Sequence, residues 1–119
     1  MKALLINGSP HEKGCTYTAL AELAKALEAE GIEAEIVQAG KTNISCNACG
    51  VCKKTNRCVH DDLVNEVAQK FNEADALVIG SPVYYASPAG GAISFMDRLF
   101  FSTPWINKTM KVGASVVSC

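Results

Sequence analysis

A chain of 119 residues, 49% of them hydrophobic, has the size and apolar content of one domain with its own core. A formal net charge of −1 with no basic stretch argues against a nucleic-acid partner, and no run of about 18 apolar residues is present to span a membrane. The N-terminal apolar run is too short for an export signal, so the protein is expected in the cytoplasm, where six cysteines point to metal or redox chemistry rather than a disulfide scaffold.

Residues 2–6 form a short apolar strand, stopped by Asn7-Gly8-Ser9-Pro10 and a polar loop through Gly14. Residues 16–30 then carry Leu20, Leu23, Ala24 and Leu27 at helical spacing, and Gly31 ends that helix. Residues 32–37 alternate apolar and polar, as expected of a strand near an edge. Residues 40–61 make a connection far longer than the roughly 2–6 residues usual in α/β domains, and it contains four cysteines. Asp61-Asp62 opens a second helix whose buried face is Leu63, Val64, Val67, Ala68 and Phe71. Residues 76–79 are an apolar run expected to be a central parallel strand, broken by Gly80-Ser81-Pro82. A third helix covers 89–101, with Ala92, Ile93, Met96, Leu99 and Phe100 as apolar contacts and Asp97 and Arg98 as its polar residues. Residues 102–107 are irregular, and 111–117 form a fourth strand.

This alternation predicts a doubly wound α/β domain: a parallel sheet with right-handed crossovers and helices on both faces. Ligands of such sheets sit at the carboxyl ends of the strands where the strand order reverses. The loops after Ile6 and Ile79 fall at those ends.

The first loop has the makings of a phosphate cradle. A loop opening a helix gathers unpaired N–H groups at the positive end of the helix dipole. Gly8 and Gly14 let a ligand approach the backbone, and Ser9, Thr16 and Thr18 add hydroxyl donors. Five residues separate Gly8 from Gly14 and Cys15 follows, so neither the P-loop nor the G-x-G-x-x-G spacing is met. A single monoester phosphate suits the loop, the alternative being a plain strand-to-helix turn with capping hydroxyls. The second loop, Pro82-Val83-Tyr84-Tyr85, offers aromatic rings for stacking and backbone groups for a polar ring edge. Four further thiols are spaced Cys46-x2-Cys49-x2-Cys52-x5-Cys58, a compact set of soft ligands suited to an iron–sulfur cluster or to zinc. The last gap is wider than in the bacterial ferredoxin run. A thiol–disulfide relay and a loop that holds nothing are the other readings. Lys53, Lys54 and Arg57 would partly offset a cluster's negative charge. Cys15 and Cys119 read as small hydrophobes, and His11 and His60 as surface histidines.

Gly8-Ser-Pro-x-x-x-Gly14-x-Thr16 and Gly80-Ser-Pro-Val-Tyr-Tyr-Ala-Ser-Pro88 resemble the FMN-phosphate and flavin-ring loops of the flavodoxin-like NAD(P)H-dependent FMN reductases. The likeness runs along essentially the whole chain, and the cysteine spacing is similar to the iron–sulfur flavoprotein branch. Cys15 stands where many relatives have Asn, and His11 where many have Arg. The resemblance implies a three-layer flavodoxin-like fold with strand order 2-1-3-4-5. It also implies one FMN, held by Ser9, His11, Cys15, Thr16, Tyr17 and Thr18 on the phosphate side and by Pro82, Val83, Tyr84 and Tyr85 at the ring. NAD(P)H would be the co-substrate, and Cys46, Cys49, Cys52 and Cys58 the ligands of a [4Fe-4S] cluster. No side chain is expected to act as catalytic acid or base, because hydride transfer needs none.

The expected activity is FMN-dependent NAD(P)H oxidation with electrons passed to a small-molecule or protein acceptor. The runner-up is a non-enzymatic carrier fed by a ferredoxin-like donor, and the third reading is a zinc-stabilised binding module without flavin. A homo-oligomer, dimer or tetramer, is expected, so that a neighbouring subunit brings a cluster closer to the flavin. The chain is read as one domain over 1–119 with the cysteine loop 40–61 inserted. Because it stops after the fourth strand, the fifth strand and last helix are expected to be missing, leaving that strand as an exposed apolar edge.

Overall fold

The computed structural model describes all of Met1–Cys119. Its elements are β1 (Lys2–Asn7), α1 (Cys15–Ala29), β2 (Glu33–Gln38), α2 (Cys52–Thr55), α3 (Leu63–Glu73), β3 (Ala76–Pro82), α4 (Gly90–Phe101) and β4 (Val112–Ser118). Successive side chains of a strand point to opposite faces, and both faces of β1 are covered. Leu4 and Ile6 enter one core with Val37, Leu77 and the inner faces of α3 and α4, including Val67, Phe71, Phe95 and Leu99. Ala3 and Leu5 enter the other with Leu20 of α1 and Val78 of β3. Double burial explains the near-continuous apolar runs of β1 and β3, which lie in the middle of the sheet.

Every strand pairing is parallel and the order is β2-β1-β3-β4, the flavodoxin-like arrangement over its first four strands. The chain order reverses between β1 and β3, so Asn7 at the end of β1 lies between Gln38 and Gly80. β4 is an edge strand with Val112 and Val117 largely exposed, as anticipated. No helix is long and apolar enough to cross a membrane.

Three segments depart from the sequence expectation. β3 does not stop at Ile79, because Gly80, Ser81 and Pro82 stay in register with Val116, Val117 and Ser118 of β4. Pro82 is tolerated there since the next N–H, that of Val83, supplies the bond to the Ser118 carbonyl at 2.8 Å. The cysteine connection is not wholly irregular, for Cys52–Thr55 makes one helical turn closed by Asn56 in the left-handed region. In α4 the inward face is Ala92, Phe95, Arg98 and Leu99, while Ile93 and Phe100 are more than a third exposed. An arginine thus occupies a core position that its polarity hid.

Candidate functional site

Asn7, buried at the end of β1, shapes the first loop. Its Oδ1 accepts from the Ser9 N–H at 3.1 Å, an Asx-type turn that swings the chain off the strand. Ser9 is buried, and its Oγ accepts from the His11 N–H at 3.1 Å. The loop then enters the 15-residue helix α1 through Gly14, which provides no side-chain cap, and no acidic residue stands in the first turn. The N–H groups of Cys15, Thr16 and Tyr17 have no intramolecular acceptor. An uncapped helix start with free donors and no competing carboxylate is a fitting receptor for a phosphate.

The side chains predicted for this loop divide. His11 and Cys15 are exposed at its rim, and Tyr17 is half-buried beneath the Lys13 ammonium, 4.1 Å from the ring centre. Thr16 is buried, with Oγ1 2.7 Å from Ser118 Oγ of β4. Thr18 turns its hydroxyl back to the Gly14 carbonyl at 3.0 Å.

The second loop is tied to the first through backbone: the Gly8 N–H donates to the Gly80 carbonyl at 2.7 Å. Ser81 Oγ accepts from the Ala89 N–H at 2.9 Å, and a Val83–Pro88 bridge pinches the loop between them. Pro82 is buried and Val83 half-buried at the base, while the tip holds Tyr84 and Tyr85, 60% and 91% exposed. Two uncovered aromatic rings beside an uncapped helix start with free N–H groups suit a planar heteroaromatic ring carrying a phosphate tail.

Backbone packing fixes the spacing of these loops. A Cβ on Gly8 would lie 2.6 Å from Ala92 Cβ and 2.7 Å from the Gly80 carbonyl oxygen. A Cβ on Gly40 would overlap the Ser9 carbonyl, and one on Gly91 would overlap that of Gly40. The root of the cysteine loop, the phosphate loop and the start of α4 therefore touch main chain to main chain. Asn7 and Gly40 were not among the predicted site residues. Asn followed by Gly-Ser-Pro is a turn signature that could have flagged the first; the contact of Gly40 is non-local and has no sequence signal.

The four cysteines line one pocket, together with Ser45, His60, Arg98 and Phe101. All are free thiols: Cys52 is buried, Cys46 and Cys58 are half-buried and Cys49 is exposed. Ala48, Gly50 and Asn56 adopt positive φ, which wraps the loop around the pocket. No three of their side chains are grouped as the ligands of one metal ion are. The donor set itself, four soft sulfurs on one loop around one pocket, has the chemistry of an iron–sulfur or a zinc ligand set.

The loop is fastened at its C-terminal end. Asn65 of α3 accepts from the Cys58 N–H at 2.8 Å and donates to the Cys58 carbonyl at 3.0 Å. Asp62 caps α3 by accepting from the Val64 N–H at 3.1 Å. Arg98, 1% exposed, grips the Asp62 carboxylate with both terminal nitrogens at 2.8 Å. Burial works against the Asp62 carboxylate, but the bonds from Arg98 and Val64 outweigh it and hold the carboxyl below its ordinary range. The hydrogen bond to Asp62 likewise raises the Arg98 guanidinium above its ordinary value against the opposing effect of burial, and Cys58 adds to the rise. The cation that touches a cysteine sulfur is thus Arg98; Lys53, Lys54 and Arg57 are exposed, and Arg57 pairs with Asp61.

The sequence matches the family described as NADPH-dependent FMN reductase over residues 1–118. An iron–sulfur flavoprotein of Methanocaldococcus jannaschii is 35% identical over 99 residues, covering 82% of this chain and 51% of that protein. One of Archaeoglobus fulgidus is 37% identical over 99 residues, covering 82% and 48%. The chain thus spans about half the length of the curated relatives it matches. Among solved structures, RosB with bound 8-demethyl-8-formylriboflavin-5'-phosphate superposes with a TM-score of 0.70 at 20% identity, over 98% of this chain and 51% of that one. An NADH:FMN oxidoreductase in its apo form gives a TM-score of 0.57 at 24% identity, over 82% and 49%; at these identities the likeness speaks for the fold. With the family match running from the first residue through the last strand, the chain belongs to the NADPH-dependent FMN reductase family, and the curated relatives it is similar to there are iron–sulfur flavoproteins.

Proposed function

We propose that the protein is an FMN-dependent oxidoreductase that oxidises NAD(P)H and passes the electrons through a cysteine-bound [4Fe-4S] cluster to a small-molecule or protein acceptor. The observation that carries this reading is the locked pair of loops. An uncapped helix start with free N–H groups lies on one side, and uncovered tyrosines lie on the other, joined by the Gly8–Gly80 hydrogen bond.

The N–H groups of Cys15, Thr16 and Tyr17 and the loop bearing Ser9 and His11 would hold the phosphate, with Thr18 at the edge of that turn. Pro82 and Val83 would floor the ring, and Tyr84 and Tyr85 would stack against it. Bound there, FMN supplies the two-electron chemistry, so the chain's part is to orient the ring and leave one face open to a nicotinamide. His11 and His60 are exposed and carry no assigned proton transfer. Cys46, Cys49, Cys52 and Cys58 would hold the cluster, and Cys52 would exchange its present thiol contact with the Phe101 carbonyl, 3.6 Å, for that role. α4 joins the two centres: it starts beside the flavin loops at Gly90 and reaches the cysteine pocket at Arg98, roughly 12 Å along the helix axis. In a homo-oligomer a second copy of the chain would bring a cluster nearer to a flavin, and solution scattering tests that reading.

Protein purified without oxygen is expected to show flavin absorption with an iron–sulfur shoulder, matching iron and sulfide, and to oxidise NADH or NADPH with ferricyanide as acceptor. Flavin and iron without nicotinamide turnover would leave the electron-carrier reading. Zinc without flavin would overturn both.

A further inference from the structure

The fold places a buried guanidinium where an apolar side chain would cost less. Removing a charge from water is expensive, and buried ion pairs are commonly no more stabilising than well-packed apolar residues of the same volume. Yet Arg98, on the inward face of α4 with Phe95 and Leu99, is 1% exposed and lines the cysteine pocket.

Where it spends its donors is informative. Nη1 bonds Asp62 Oδ2 at 2.8 Å and reaches the Ile44 carbonyl at 3.5 Å. Nη2 bonds Asp62 Oδ1 at 2.8 Å, the His60 carbonyl at 3.2 Å and the Cys58 sulfur at 3.5 Å. Nε has no partner. Every acceptor lies between residues 44 and 62, so the whole capacity of the side chain serves the cysteine loop and the cap that ends it. Ile44 precedes the first thiol of the set, and His60 and Asp62 follow the last. The guanidinium therefore bridges both ends of the loop from beneath while facing one of its sulfurs.

We propose that Arg98 is the positioning residue of the cysteine pocket. Its guanidinium staples the two ends of the thiol loop before any cluster is bound, and its hydrogen bond to the Cys58 sulfur raises the reduction potential of the cluster held there. The second half rests on the proposed function; the first half does not. Asp62 neutralises most of the long-range charge of Arg98, so the effect on potential comes chiefly from the N–H directed at sulfur. Hydrogen bonds to the sulfurs are among the determinants of cluster potential. Donation to a thiolate stabilises the more negative, reduced state, which is why the potential rises.

The test uses Arg98→Lys, which keeps the charge and loses the fork, and Arg98→Met, which loses both at similar length. In protein stripped of iron, the rate of labelling of the four loop thiols by a disulfide reagent is expected to rise at least tenfold in Arg98→Met and less in Arg98→Lys. Equal rates in all three proteins would overturn the staple. In the iron-loaded protein, a titration monitored by electron paramagnetic resonance is expected to give midpoint potentials falling in the order wild type, Arg98→Lys, Arg98→Met. Equal potentials in clusters of equal iron content would overturn the hydrogen-bond role. Should Arg98→Met fail to fold, Arg98→Lys carries both measurements against wild type. A wild-type protein that takes up no iron would defeat the cluster reading and the claim on potential with it; the labelling rates would still decide the staple.

Discussion

The flavin crevice and the cysteine pocket lie at opposite ends of α4 and are built by opposite means. The crevice is made of main chain: Gly8, Gly40 and Gly91 let three loops touch, Gly80 lets α1 pack close through Leu20 and Thr16, and one N–H to carbonyl bond joins the two loops that would grip the cofactor. Its form follows from backbone sterics and needs no ligand. The pocket is made of side chains on an exposed loop, held from below by Arg98 and Asn65, with thiols that share a space but no common centre. Its final form would come from what the thiols bind. A receptor of the first kind has little tolerance for added volume, whereas one of the second kind depends on a few anchoring hydrogen bonds.

The contrast is broken most readily at two glycines. Gly40→Ala would drive a methyl group into the Ser9 carbonyl. It is expected to cost about 3 kcal/mol or more and to abolish FMN retention, read by thermal unfolding and by flavin content after gel filtration. Gly50→Ala, in the cysteine loop, meets no atom within 4 Å and strains only its φ of +80°. It is expected to cost about 1–2 kcal/mol and to leave flavin content unchanged. Equal losses in the two variants would erase the distinction.

Next in size are the anchors of the pocket. Asn65→Ala removes both bonds to the Cys58 backbone and is expected to cost about 2 kcal/mol while FMN affinity is unchanged, by urea unfolding and flavin titration. Asp62→Asn weakens the grip of Arg98 and is expected to cost about 2 kcal/mol at pH 7. That is less than the roughly 3–5 kcal/mol of a fully buried pair, because the carboxylate is partly solvated. The folded-state pKa of Asp62 is depressed, so its contribution is complete above the ordinary carboxyl value near 4 and fades as the pH falls through the lower folded value. The stability gap between wild type and Asp62→Asn should therefore narrow below about pH 4; a gap that widened in acid would contradict the assigned direction.

The smallest expected effect is at the seam between α1 and β4. Thr16→Val keeps the shape and loses the bond between Thr16 and Ser118, for a cost of about 1 kcal/mol in chemical unfolding.

The crevice was the more legible of the two regions because its determinants are local. Apolar periodicity gave α1 and α3, Asp62 announced a helix start, and the strand-loop-helix pattern put Ser9 just after β1 and Thr16 at the start of α1. The extension of β3 through Pro82 was hidden, since Gly-Ser-Pro reads as a break unless β4 is known to run beside it. The thiols were legible as a set from spacing alone, but not the residue that holds them. Arg98 looks like any polar residue of an amphipathic helix, and its partner Asp62 lies 36 positions away. Long polar side chains that bury their heads in pairs leave no periodic signature. Likewise, nothing local marks Gly40 as the point where two loops meet.

The central claim is that a preformed cradle at the start of α1 holds the phosphate of FMN. The most direct measurement is a fluorescence titration of flavin-free protein with FMN and with riboflavin, which lacks that phosphate. Saturable quenching by one FMN per chain is predicted, with riboflavin weaker by at least about a hundredfold, as expected when several hydrogen bonds to a charged group are lost. Equal affinity for the two flavins, or binding of neither, would contradict it.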